Sequence, residues 1–179
     1  APKNDDELRS LVDAGSVTVL SGDGYDPLGV FLVATAKANA GTSVAVGDLD
    51  GDGAADIIIG APNDDDLSLG LKNAGTVTAY TINRDELLRE YGAVANAYFG
   101  KSVASGDINK DGFTDVLVGA IGDDLPATDS AKKMLDAGSV TVFFSNNAGL
   151  PLKKYGAVAK AGLGGSVAAG DVNDDGYAD

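Results

Sequence analysis

A short acidic motif occurs three times in this 179-residue chain. The copies read GDLDGDGAAD, GDINKDGFTD and GDVNDDGYAD, and they begin at Gly47, Gly106 and Gly170. Counted from the first aspartate, oxygen-bearing side chains occupy positions 1, 3, 5 and 9, and glycine occupies position 6. Because one motif is written three times, the chain is predicted to be an array of similar structural units.

The spacing of these side chains predicts a bound hard cation. Ca²⁺ takes six to eight oxygen ligands at about 2.3–2.6 Å, and a backbone carbonyl at position 7 adds one more oxygen. Glycine at position 6 permits the sharp turn with positive φ. Without a cation, the crowded carboxylates would repel one another. We therefore predict about three Ca²⁺ sites, one per loop.

The predicted ligands fall into three loops, each running from position 1 to position 9. They are Asp48, Asp50, Asp52, Ala54 and Asp56 in loop 1 (residues 48–56); Asp107, Asn109, Asp111, Phe113 and Asp115 in loop 2 (107–115); and Asp171, Asn173, Asp175, Tyr177 and Asp179 in loop 3 (171–179), where Ala54, Phe113 and Tyr177 offer backbone carbonyls.

Two other structures share parts of this pattern. An EF-hand shares positions 1, 3, 5 and 6, but it requires a glutamate at position 12 and flanking helices. Position 12 is Ile59 in loop 1 and Val118 in loop 2, each within an apolar β-branched run that predicts a buried strand. A plain Asp/Gly turn would explain one copy. Three matched copies favour a metal site closed by the acid at position 9.

Composition excludes several functional classes. Cysteine and histidine are absent, so disulfide frameworks, thiol chemistry, zinc hydrolases and Ser-His-Asp catalysis have no residues to use. The formal net charge of −14 makes nucleic acid an unexpected partner. No apolar run approaches the roughly 18 residues of a membrane span, so direct membrane insertion is not expected.

Other segments repeat together with the loops. AGSVTVL, AGTVTAY and AGSVTVF recur with the same period, and GTSVAVGD, GKSVASGD and GGSVAAGD lead into the three loops. Within one repeat, short strands are predicted at residues 43–47, 57–60 and 75–80. Residues 85–90 have local helical propensity, but a four-strand unit of about 60 residues favours an outer strand within residues 84–95 and a propeller blade.

The order of these marks resembles the FG-GAP repeats of integrin α-subunit β-propellers. Phe99-Gly100 precedes a strand and an acidic loop, and Gly60-Ala61-Pro62 follows the strand after such a loop. The resemblance covers essentially the whole chain and implies an all-β fold of four-stranded antiparallel blades. In that family the loop joins the innermost strand to the second strand and holds Ca²⁺. Ala40-Gly41 and Leu163-Gly164 depart from Phe-Gly, and Gly119-Ala120-Ile121 departs from Gly-Ala-Pro.

The repeats predict one partial propeller domain over residues 1–179. Residues 1–40 would be the trailing part of a blade, 41–99 and 100–163 two complete blades, and 164–179 the start of the next. Residues 1–6 match residues 61–66, which sets the first boundary. Since propellers have about four or more blades, we expect part of a larger propeller, or a unit completed by another copy through unpaired blade edges.

The leading functional hypothesis is a non-enzymatic, Ca²⁺-stabilised module for adhesion or for recognition of a protein or glycan, extracellular or at the cell surface. Recognition is expected on the face opposite the metals, at residues 4–6, 63–66 and 122–124 with an extension to Asp136. The alternative is that these acids only solvate the surface. Rival hypotheses are an accessory propeller of a secreted polysaccharide- or lipid-acting enzyme and a self-assembling surface protein.

Overall fold

The structure, a computed structural model, describes residues 13–32, 35–126, 134–146 and 149–179. In these ranges the regular structure consists of ten strands, and no helix is present. The strands are β1 (Ser16–Leu20), β2 (Pro27–Leu32), β3 (Ser43–Gly47), β4 (Asp56–Ala61), β5 (Thr76–Tyr80), β6 (Glu86–Tyr91), β7 (Phe99–Gly106), β8 (Asp115–Ala120), β9 (Ser139–Phe143) and β10 (Leu152–Tyr155).

The strands form three antiparallel sheets in chain order. β1 pairs with β2, β3 to β6 form sheet 1, and β7 to β10 form sheet 2. The predicted all-β fold with four-stranded antiparallel, propeller-type units is therefore confirmed. The division of the chain at residues 40, 99 and 163 stays a prediction, and residues 1–12 lie outside the described part of the chain.

The outer strand of sheet 1 is extended although its sequence has local helical propensity. Residues 85–90 favour a helix by composition, yet β6 is extended and pairs with β5, with Arg89 opposite Thr78. The pairing satisfies the backbone groups of both strands, and this tertiary gain exceeds the small differences in intrinsic propensity.

The second strand of sheet 1 and the second strand of sheet 2 are covered on both faces. Every residue of β4 and of β8 is buried, as their continuous apolar sequences predict. Ile58 packs in one cluster with Val116 and Val118 of sheet 2. The alternate residues Ile57 and Ile59 pack in another cluster that includes Phe31 of β2. Successive sheets are thus joined by apolar cores on opposite faces of β4.

The glycine marks meet where one repeat contacts the next. A Cβ at Gly60 would overlap the backbone of Gly100, the glycine of the following Phe-Gly mark. Ser43 donates its hydroxyl to the Gly100 carbonyl at 2.9 Å. The same arrangement recurs between Gly119 and Gly164. Glycine is therefore required at Gly60 and Gly119 because two repeats approach closely there.

Candidate metal centre

Loop 1 connects β3 to β4 and is folded around its own carboxylates. Asp48 accepts hydrogen bonds from the backbone N–H groups of Gly51 at 2.7 Å and Gly53 at 2.9 Å. Asp50 accepts the N–H of Asp52 at 3.1 Å. These Asx-type bonds are local, since each links residues two to five positions apart. They hold several acidic side chains within one short turn.

Three carboxylates of loop 1 converge. One oxygen from each of Asp48, Asp50 and Asp56 lies within 4.8 Å of the other two, which is the separation that a central ion with bonds of about 2.4 Å can span. Asp56 is 2% exposed. Burial raises its pKa, the N–H of Leu49 opposes that rise, and the charges of Asp50, Asp52 and Asp48 raise it further. A cation at this position would offset both the cost of burying the charged carboxylate and the repulsion from its neighbours.

Loop 2 follows the same path and differs from loop 1 in one predicted side-chain ligand. Asp107 accepts the N–H groups of Asp111 at 3.1 Å and Gly112 at 2.9 Å, and Asp111 accepts that of Phe113 at 2.9 Å. Position 3 is Asn109, whose amide donates to the Asp111 carboxylate at 3.0 Å. One neutral oxygen ligand therefore replaces a charged one, and the amide partly compensates a neighbouring carboxylate.

Loop 3 repeats the geometry of loop 2. Asp171 accepts the N–H groups of Asp175 at 3.1 Å and Gly176 at 2.7 Å, and the Gly176 bond is the main cause that lowers the pKa of Asp171. Asn173 donates to Asp175 at 3.0 Å. No strand is assigned on either side of this loop within the described residues.

The acid at position 9 closes each loop in the same way. Asp56, Asp115 and Asp179 accept the N–H group at position 2 of their own loops, from Leu49 at 2.9 Å, Ile108 at 2.9 Å and Val172 at 3.2 Å. Asp115 is fully buried. Burial raises its pKa against the opposing N–H groups of Ser145 and Ile108.

The glycine at position 6 has the backbone conformation that the motif predicts. The φ angles of Gly53, Gly112 and Gly176 are 87°, 89° and 84°. A Cβ at Gly53 or Gly112 would meet no atom within 4 Å, so glycine is needed there for its conformational freedom. The loops thus present oxygen-rich turns that fit a hard cation, while the assignment of all fifteen ligands stays a prediction.

Neighbouring loops touch each other, which sequence reasoning missed. The N–H of Thr114 in loop 2 donates to the carbonyl of Asp48 in loop 1 at 2.9 Å, and Ala178 in loop 3 donates to Asp107 in loop 2 at 2.9 Å. The donor is at position 8 and the acceptor at position 1 both times. Backbone hydrogen bonds between repeats do not require particular residue types. The regular spacing of the loops was therefore the only feature of the sequence from which these contacts could have been predicted.

The acids expected on a recognition surface are in part buried. Asp64 is 1% exposed and Asp123 2% exposed. Asp64 accepts the hydroxyls of Thr76, at 2.6 Å, and of Thr35. Asp123 accepts the Ser139 hydroxyl at 2.6 Å. The expectation that these two carboxylates meet ligand or solvent is therefore wrong, because they bind the hydroxyl at the start of β5 or β9.

Asp66, at the end of residues 63–66, also belongs to the predicted recognition stretches. Asp66 is also buried and caps a small turn by accepting the N–H and hydroxyl of Ser68, at 2.9 and 2.6 Å. The large apolar side chains that this turn exposes are those of Leu67 and Leu69, which are 78% and 71% exposed. Residues 4–6 and 127–133 lie outside the described residues. A recurring acid-to-Thr/Ser pair, Asp64 with Thr76 and Asp123 with Ser139, was the available sequence signal.

The fold and loops together define a class of protein: an array of four-stranded antiparallel propeller units with an acidic turn between the first and second strands. Within that class, the FG-GAP repeat family matches residues 40–80 and 99–143. The chain is therefore an FG-GAP repeat region similar to those of integrin α subunits.

Two integrin α subunits agree with this assignment. Integrin alpha pat-2 of Caenorhabditis elegans is 36% identical over 150 residues, covering 78% of this chain and 12% of that protein. Integrin alpha-V of Gallus gallus is 34% identical over 146 residues, covering 78% and 13%. The chain thus spans about an eighth of the length of these relatives. The exotype rhamnogalacturonan lyase YesX aligns with 76% of this chain and 24% of its own, with 16% identity and a TM-score of 0.40.

The described residues contain no helix that is both long and apolar enough to cross a membrane.

Proposed function

We propose that this chain is a calcium-stabilised, non-enzymatic propeller segment that serves adhesion or ligand recognition outside the cell. The observation that carries the proposal is the convergence of Asp48, Asp50 and Asp56 within 4.8 Å. Similarity to integrin α subunits supports the adhesion role and the extracellular or cell-surface location.

Calcium suits these loops better than a smaller cation. The predicted donors are carboxylates, amide oxygens and backbone carbonyls of one short turn, and Ca²⁺ tolerates the irregular oxygen shell that such a turn offers. Mg²⁺ demands near-octahedral geometry and gives up its water reluctantly. An ion that binds only the folded loop adds its binding free energy to the stability of the fold. In a chain without cysteine, the ions would fasten the turns between the inner strands.

The recognition surface would lie at the ends of the sheets opposite the metal loops. β4 begins at loop 1 and ends at Ala61, so residues 62–75 are at the far end. A pair of backbone bonds between Asp66 and Leu71, both 2.9 Å, fixes the turn there. The turn presents Leu67 and Leu69 to solvent, so a protein or glycan partner would meet apolar groups on this turn.

Thermal unfolding with saturating Ca²⁺ and with a chelator tests the structural role of the ions. A site that binds at a thousandfold excess over its Kd contributes about 4 kcal/mol. With about 2–4 °C per kcal/mol for a chain of this size, several such sites should lower the Tm by about 10 °C or more on chelation. A shift of one or two degrees would contradict the proposal. Mg²⁺ in place of Ca²⁺ is the ion control.

The ligand assignment can be tested with two neighbouring aspartates of loop 3. Asp175→Asn changes a predicted ligand, and Asp174→Asn makes the same charge change at position 4, which is not a predicted ligand. Asp174 has a φ of 64°, a conformation that asparagine also accepts. Isothermal titration should show weaker Ca²⁺ binding for Asp175→Asn only. Equal weakening by both variants would mean that overall charge, not ligation, sets the affinity.

Self-association is a second candidate property. β1 pairs only with β2 among the described strands, and Val44 and Val46 of the adjacent β3 are exposed. An unpaired strand edge beside apolar side chains favours pairing with another strand. Light scattering at several protein concentrations should show association. A strictly monomeric species at all concentrations would exclude it.

A further inference from the structure

The contacts between loops 1 and 2 form one junction. Beside the Thr114–Asp48 backbone bond, the ring of Phe113 covers Gly51 so closely that a Cβ there would overlap the ring. Phe113 is at position 7 of loop 2, where its carbonyl is a predicted ligand, and Gly51 is at position 4 of loop 1. One residue therefore serves two loops: its carbonyl is a predicted ligand of its own loop, and its side chain packs on the preceding loop.

The contacts between loops 2 and 3 form a second junction with the same positions and different chemistry. Tyr177, at position 7 of loop 3, has its ring centroid 4.9 Å from the ammonium of Lys110, at position 4 of loop 2. The ammonium also donates to the carbonyl of Asp175 at 2.8 Å. Position 7 of one loop thus contacts position 4 of the preceding loop at both junctions.

From this repeated arrangement we infer that loops 1 and 2 are each positioned by the loop that follows, so that ion binding is coupled along the row of three loops. Phe113 is the positioning residue for loop 1, and Tyr177 with Lys110 has that role between loops 2 and 3. The inference rests on the proposed calcium binding.

The coupling follows from what an ion in loop 2 would hold in place. It would fix the backbone at position 7 of that loop, and hence the ring that packs on Gly51. The adjacent N–H of Thr114 would then hold the backbone of Asp48, a predicted ligand of loop 1. Loop 1 would need less ordering when its own ion binds. By thermodynamic linkage, an ion in loop 1 must raise the affinity of loop 2 by the same factor.

Site-resolved titration of the full 179-residue chain tests the coupling. Gly53, Gly112 and Gly176 each lie at position 6 of a different loop, so their backbone amide NMR signals report Ca²⁺ binding loop by loop. Asp111→Asn should weaken loop 2 directly. It should also raise the Ca²⁺ midpoint at Gly53 about fivefold or more, the range of ordinary allosteric coupling. A Gly53 midpoint within about twofold of the unchanged chain would overturn the inference.

Phe113→Ala tests the route of the coupling. It keeps the position 7 carbonyl and removes the ring from Gly51. We expect the midpoint at Gly53 to rise, and Asp111→Asn to have less effect on Gly53 when combined with Phe113→Ala. Phe113→Leu should restore part of the coupling, since leucine still covers Gly51. Full additivity of Phe113→Ala and Asp111→Asn would overturn the role of the ring. If Phe113→Ala does not fold, Asp111→Asn alone decides whether coupling exists.

The outcomes separate the two proposals. If none of the three glycine signals responds to Ca²⁺ in the unchanged chain, the proposed calcium binding is wrong. If all three signals respond, but their Ca²⁺ midpoints are not altered by substitutions in a neighbouring loop, then the chain binds calcium and the proposed coupling is wrong. Asp174→Asn is the matched control, because it removes one charge from loop 3 without changing a predicted ligand or the junction between loops 1 and 2, and it should leave the midpoint at Gly53 unchanged.

Discussion

Sheets 1 and 2 share one plan but compensate a buried aspartate differently. In sheet 1, Asp64 accepts the hydroxyls of Thr76, at 2.6 Å, and Thr35. In sheet 2, Asp123 accepts the Ser139 hydroxyl at 2.6 Å and also pairs with the ammonium of Lys153 at 2.5 Å. In both sheets a buried aspartate accepts a hydrogen bond from the hydroxyl of the first residue of the third strand. Only in sheet 2 does that aspartate also pair with a lysine.

In sheet 1 the residue equivalent to Lys153 is Arg89, and it pairs with a different acid. Lys153 lies opposite Thr141, as Arg89 lies opposite Thr78. Arg89 instead pairs with Glu86 at 2.6 Å on the same exposed strand. The two sheets therefore have the same strand register and a buried acid at the same position, but the long basic side chain on the outer strand pairs with a different acid in each.

The metal loops of the two sheets also differ in how their carboxylates are compensated. Loop 1 offers four carboxylates, whereas loop 2 has Asn109 at position 3 with its amide bonded to Asp111. Asp115 accepts N–H groups from both Ile108 and Ser145, while the bond described for Asp56 comes from Leu49. Without an ion, the carboxylates of loop 1 are less well compensated. Loop 1 should accordingly depend more on its cation than loop 2.

Removing the buried acid from each sheet should give the largest difference. Asp123→Ala leaves the Lys153 ammonium without its buried partner and should lower the free energy of unfolding by about 3 kcal/mol, the low end for a broken buried pair. Asp64→Ala leaves two hydroxyls, which can reorient, and should lower it by about 1.5–2 kcal/mol. Urea unfolding in saturating Ca²⁺ measures both.

Lys153→Met provides the control for this pair. Combined with Asp123→Ala, it removes the stranded ammonium, so the double variant should lose less stability than the sum of the two single changes. Combined with Asp64→Ala, which lies in the other sheet, it should be additive. Equal losses for Asp64→Ala and Asp123→Ala would show that the ion pair adds nothing to the hydroxyl bonds.

The sequence predicted the parts of this comparison that local pattern controls. The strand at β3, the apolar strands β4 and β8, and the positive φ at Gly53 all follow from residue type and spacing. The burial of Asp64 could not be read in this way, since a run of acids beside asparagine is ordinarily solvated. Its burial depends on Thr76, which only sheet formation brings to it.

The close approach between repeats is a point where the two sheets should behave alike. Gly60→Ala and Gly119→Ala each place a methyl group against the backbone of the next repeat, and each should lower the free energy of unfolding by about 1–3 kcal/mol. Gly165→Ala is the control, because its Cβ would have only ordinary contacts at 3.5 Å. Unfolding in denaturant should separate the first two variants from the third. A clear difference between Gly60→Ala and Gly119→Ala would show that the two contacts are not equivalent.

Exchanging the residue at position 3 should give the smallest effect and the most specific one. Asn109→Asp adds a fourth carboxylate to loop 2 and removes the amide that bonds Asp111, and Asp50→Asn makes the opposite change in loop 1. In chelator, added like charge lowers stability, so Asn109→Asp should lower the Tm and Asp50→Asn should raise it, each by about 2 °C. In saturating Ca²⁺ both signs should reverse, because the added charge then faces a cation. The same sign in both conditions would mean that position 3 does not face an ion. The reversal is therefore a stricter test of ligation than the loss of stability alone, since a purely structural side chain would not change sign with the metal.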